Sequence, residues 1–223
     1  MTSRHNARAA TLVGGGLILG VMLLHPTGAE AVADASAGGT RHTLALATAV
    51  HAVAIGAVPL LLAGMTALTW RLRAARELAI GALICFALAS VAVLFAAAMS
   101  GLVAPTLLAG LRPVGDPARE LALQQLHYTG VLNQAFATVY VGLAGAAFGL
   151  WALAMRGDRA FPAALRWGAV LAGILPIIGV AVGHLRLDVR GFGLVVVLHS
   201  AWMMTAAWVA RGDATPIAAV TPP

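Results

Sequence analysis

The chain has 223 residues, 61% of them hydrophobic and 10% charged, with a mean hydropathy of +0.91. Soluble domains carry about 25% charged residues, so this composition excludes a soluble globular protein and places the chain in a bilayer. All 14 basic residues are arginine against 8 acids. That excludes chemistry needing a lysine amine, such as retinal or pyridoxal Schiff bases and the P-loop lysine. The single cysteine, Cys85, excludes disulfide exchange, CxxC redox and all-cysteine metal sites.

Apolar runs between charged or Pro/Gly-rich breaks predict six spans, at 9–25, 43–70, 78–103, 125–155, 167–184 and 191–210. The fold class is therefore all-α: a polytopic integral membrane protein whose six transmembrane helices form one bundle. The connections at 26–42 and 104–124 are too short to bury a core of their own. Residues 1–214 make a single domain, and the Pro-rich residues 215–223 read as a disordered tail. The first span is read as an uncleaved helix. Its arginine-led start and the small residues near Ala29 and Ala31 also fit a signal peptide.

Orientation follows from the arginines, which stay on the cytoplasmic side of short loops. Arg4, Arg8, Arg71, Arg73, Arg76, Arg156, Arg159, Arg166 and Arg211 share one side with only Glu77, Asp158 and Asp213. The other side balances five arginines against five acids. Both termini are thus expected in the cytoplasm, with the protein in the inner (plasma) membrane. Trp70, Trp151, Trp167 and Trp208 are expected at the headgroup level of that same side. The excess positive charge is explained by orientation, so no nucleic-acid role follows. Pro59 and Pro176 should kink spans two and five and free carbonyls that neighbours must satisfy. Gly16 and Gly20, Gly145 and Gly149, and Gly179 and Gly183 are candidates for close helix approach.

Six of the seven histidines fall on the outer side. His25, His42, His127 and His184 stand at span boundaries, whereas His51 and His199 lie about eight residues into spans two and six, about 12 Å deep. Asn133 and Gln134 reach a similar level in span four, with Thr138 one turn further in. Polar side chains at this depth must face the bundle and find partners, so a functional site is expected in the outer half. Two neutral imidazoles can ligate a haem iron axially, which makes haem b the first cofactor expectation. His51 and His199 would be the axial ligands, and Asn133 or Gln134 would contact them or a quinone. Helices with histidines at matched depth resemble b-type cytochromes in a general way. Copper is the alternative, with Met203 one turn from His199 and with His127 and His42 as further donors.

Other chemistries lack their residues. Membrane di-iron clusters need closely spaced histidines, and none here fall within five residues of each other. Met99-Ser100-Gly101 lacks the preceding glycine of the rhomboid-protease Gly-x-Ser-Gly. His184 and Asp188 would pair on a helix, but Leu185–Arg190 alternates and reads as an exposed loop. The reading is a membrane electron-transfer protein acting with a quinone or a membrane redox partner. A non-catalytic structural or assembly subunit of a larger membrane complex is the alternative. A small-solute or metal-ion transporter comes third, because the inner half offers mainly Thr66, Thr69, Cys85, Ser90 and Thr205.

Overall fold

A computed structural model describes residues 2–25, 40–111 and 116–210; Glu30, Asp34, Arg112 and the tail 215–223 lie outside them. The described residues are all helical apart from short turns. The helices are α1 (Thr2–Leu24), α2 (Thr40–Arg71), α3 (Arg76–Ala98), α4 (Ala104–Ala109), α5 (Pro117–Ala154), α6 (Ala163–Ala181) and α7 (Val189–Val209). Six segments are long and apolar enough to cross a membrane: His5–Leu24, His42–Arg71, Arg73–Ala109, Ala118–Gly157, Ala163–Ala181 and Val189–Val209. This matches the predicted number. Two differ in extent, because the stretch expected as a connection at 104–124 is largely helical.

The reason on one side is a proline. Pro105 has no N–H to give the Gly101 carbonyl, and the chain passes that point as a π-helix, Met99–Val103, before α4 continues the same rod. On the other side Asp116 caps α5, its carboxylate accepting from the Ala118 N–H at 2.9 Å with Pro117 in the first turn. At 38 residues α5 is about 57 Å long, well beyond the hydrocarbon thickness of about 30 Å. Its exposed first turns carry the charged and polar residues of 117–125.

The long helices close into a ring. Each packs against its neighbour in the order α1, α2, α3, α5, α6, α7, and α7 returns to α1. Small residues set the closest approaches. A Cβ on Gly145 would stand 2.7 Å from the Gly173 carbonyl, and one on Gly173 2.7 Å from the Gly145 carbonyl, so α5 and α6 cross backbone to backbone. Of the six expected glycines only two are used in this way. Gly145 and Gly179 make close contacts, whereas Gly16, Gly20, Gly149 and Gly183 have nothing beside them.

The core is concentrated toward the arginine-bearing end, around Phe86, Phe148, Trp151, Met155, Phe161 and Trp202. Trp151 departs from its expected boundary place. Its ring is fully buried and its Nε1–H donates to the Thr69 hydroxyl at 3.2 Å. Trp70, Trp167 and Trp208 are exposed, as an aromatic belt requires. The difference is one of helix face, which hydropathy along the chain does not report. At this end Arg8 lies over the Trp208 ring at 4.5 Å and Arg71 donates to the Ala210 carbonyl, tying α1 and α2 to the end of α7.

Candidate functional site

His51 and His199 both descend from the same end of the bundle, eleven residues after Thr40 and ten after Val189. They belong to different surroundings. His199 is 0% exposed, stacked on Phe148 with ring centroids 4.4 Å apart. Its Nε2 faces the Ala172 carbonyl at 3.0 Å, and its Nδ1 meets the Tyr140 hydroxyl at 2.9 Å. A carbonyl only accepts, so Nε2 carries the proton and donates; Nδ1 then accepts from the tyrosine O–H. The Ala172 carbonyl is free because Pro176, four residues on, has no N–H to return to it. The carbonyl that Pro176 frees thus finds its satisfying neighbour in His199, which uses both ring nitrogens on the protein itself.

His51 is arranged otherwise. Its Nδ1 lies 2.7 Å from the Ala47 carbonyl one turn back, which makes Nδ1 the donor and leaves the lone pair on Nε2. That Nε2 accepts a hydrogen bond from the Nε2 of His25, just past the end of α1, at 3.3 Å, with the rings edge to face, so His51, like His199, has a partner on each nitrogen. The opposite wall is backbone. A Cβ on Gly101 would fall 2.1 Å from the His51 Cβ, so the glycine in the π-helix is what lets the imidazole sit there. Metal-ligating imidazoles are commonly oriented by a hydrogen bond on the other ring nitrogen, and π-helical turns are frequent at functional sites.

The other expected site residues are scattered. Gln134 is a loop strap, its Nε2 donating to the Leu187 carbonyl at 2.8 Å. Thr138 bonds back to the Gln134 carbonyl, and Asn133 is half-buried. His42, His127 and His184 are exposed, and Met203 is buried core packing. His184 and Asp188 lie in a turn rather than on a helix, and Asp188 caps α7 by accepting from the Arg190 and Gly191 N–H groups. In the other half of the bundle Thr66, Ser90 and Thr205 each donate to the carbonyl four residues back. The residue that sequence reasoning left at the boundary is His25. Its position at the same end as His51 was the available signal; its pairing was not.

A haem iron held between His51 and His199 needs a free lone pair on each ring, and the Ala172 and Tyr140 partners leave His199 none. The 3.3 Å spacing of the His25–His51 pair is that of a hydrogen bond and also that of two nitrogens on one ion. Two nitrogens bound to one tetrahedral ion at about 2.0–2.1 Å stand about 3.3 Å apart. Among the described residues no group of three or more His, Cys, Asp or Glu side chains converges, so these two imidazoles are the donors in view. Beside them a cavity of about 530 Å³ opens between α1 and α7. Leu19, Met22, Leu23 and Leu194 give it apolar walls, and His25 and Arg190 are its polar groups. No family model, no curated protein and no solved structure matches this chain.

Proposed function

We propose that this chain is a multi-pass membrane protein that binds copper at the His25–His51 pair, near the outer face of the inner membrane, and passes electrons through it. One observation carries the reading: two ring nitrogens 3.3 Å apart, joined by a hydrogen bond whose proton an ion would replace, with the His51 lone pair aimed at His25 by the bond from Nδ1 to the Ala47 carbonyl. Imidazole nitrogens bind copper more tightly than the other divalent first-row ions. Haem b between His51 and His199 ranks lower, because His199 is committed to Tyr140 and Ala172. The cavity at His25 is of a size and polarity to take the head of a quinone, with His25 as hydrogen-bond partner, which would supply the other end of the electron path. Cytoplasmic termini are part of the same proposal and rest on the arginine distribution.

The test is elemental analysis for copper, iron and zinc on detergent-purified protein, with oxidised and dithionite-reduced visible spectra of the same sample. Stoichiometric copper is expected, lost in His25→Gln and in His51→Gln and kept in His199→Gln. A Soret band that disappears in His199→Gln would restore the haem reading. A colourless, metal-free protein would sink both.

A second reading, a non-catalytic subunit of a larger membrane complex, is favoured by a separate observation. Gly16 and Gly20, spaced four apart on α1, face open space rather than this bundle. Such a pair is suited to packing against a partner helix. Co-purification of a second membrane protein that is released by Gly16→Leu is its expected signature.

A further inference from the structure

The arginine-bearing end holds a second concavity, unconnected with the histidines. The 3₁₀ turn Met155–Gly157 and the residues leading into α6 fold around a hollow of about 430 Å³ lined by Arg156, Arg159 and Arg166 together with Asp158. The turn is self-contained. Its only acid, Asp158, spends a carboxylate oxygen on the Ala160 N–H at 2.8 Å, and Phe161 anchors it from below as a buried ring under Arg71. Arg166 donates to the Arg156 carbonyl at 3.1 Å, which holds one guanidinium across the hollow. None of the three guanidiniums is paired with a carboxylate among the described residues. Orientation in a membrane asks only that arginines lie on one side; it does not ask that three of them converge on one cavity whose lining holds a single acid, Asp158.

What lies beside the hollow identifies the ligand. Trp167, Leu171, Ile174, Leu175 and Ile178 are all exposed and run down one face of α6 at helical spacing, starting next to Arg166. A basic cup continuous with an outward apolar stripe matches a molecule with a phosphate head and hydrocarbon tails, and Arg is the residue that recognises phosphate oxygens in a bidentate manner. We propose that this hollow is a binding site for the headgroup phosphate of an anionic phospholipid, with an acyl chain lying along the α6 stripe.

The experiment uses the full chain, delipidated in a neutral maltoside detergent, with phosphatidylglycerol, phosphatidylcholine or inorganic phosphate added and bound lipid counted by native mass spectrometry. Wild-type protein is expected to take up phosphatidylglycerol in clear preference to phosphatidylcholine. Each of Arg156→Gln, Arg159→Gln and Arg166→Gln should weaken that uptake by about fivefold, the effect of one basic group near an anionic surface. Arg159→Gln is the variant least able to disturb folding, since its exposed side chain holds no other element. Arg73→Gln, exposed in another turn with an equal charge, should leave the preference unchanged. The proposal is overturned if phosphatidylcholine binds equally, if Arg73→Gln costs as much as Arg159→Gln, or if inorganic phosphate at the same concentration displaces the lipid.

Discussion

Two histidines at similar positions along helices that start from the same end are held in different ways. His199 gives both nitrogens to the protein: one proton to a carbonyl that Pro176 leaves open, one lone pair to Tyr140. His51 gives one nitrogen to its own helix and turns the other toward His25. Depth alone therefore does not decide which partners a buried imidazole takes. What decides it is where the second nitrogen points, and that depends on the neighbouring helix. A proline beside His199 supplies an acceptor, whereas a glycine in a π-helix beside His51 supplies only room.

This contrast can be broken most forcefully at His199. His199→Ala deletes a fully buried ring, strands the Ala172 carbonyl and the Tyr140 hydroxyl, and should cost about 3 kcal/mol or more in detergent unfolding while leaving bound metal unchanged. Metal lost at intact stability would reverse the assignment of roles. Next comes Gly101→Ala, whose methyl must enter the space of the His51 side chain. A cost of about 1–3 kcal/mol is expected from overpacking, together with loss of the metal, read from melting curves and elemental content. Tyr140→Phe keeps the ring contact with Phe192 and removes only the hydroxyl. Interhelical hydrogen bonds in membranes contribute about 0.6 kcal/mol on average, so a small drop in stability is expected and the metal should remain. The smallest structural effect belongs to His25→Gln at the helix end, about 0.5 kcal/mol or less, although it should abolish metal binding outright. A large destabilisation there would mean that the pair is a hydrogen-bonded strut like His199.

Much of the fold could be read without coordinates, and the failures have a common cause. The number of spans and the carbonyl that Pro176 opens followed from local composition, as did a loop at 185–190, although Leu187 within it is buried and residues 189–190 already belong to α7. Trp151 was misplaced at the boundary because its position along the helix is right for an interface, while its face is turned to Phe86 and Phe148. Gln134 looked like part of a site because its depth matched His51, yet it braces the turn before α7. His25 looked like an interfacial ring, and the structure makes it the partner of His51.

The sequence by itself determined that six apolar helices form, since each segment's preference for the bilayer depends only on its own length and composition. It also set which end collects the arginines and which the histidines. Only the tertiary structure decided which histidine meets which partner and which three arginines share a hollow. Helices that are apolar nearly all the way round carry no periodic stripe to declare their inward face. That face is chosen by the close fit of small residues such as Gly101, Gly145 and Gly173 against whatever helix lies opposite.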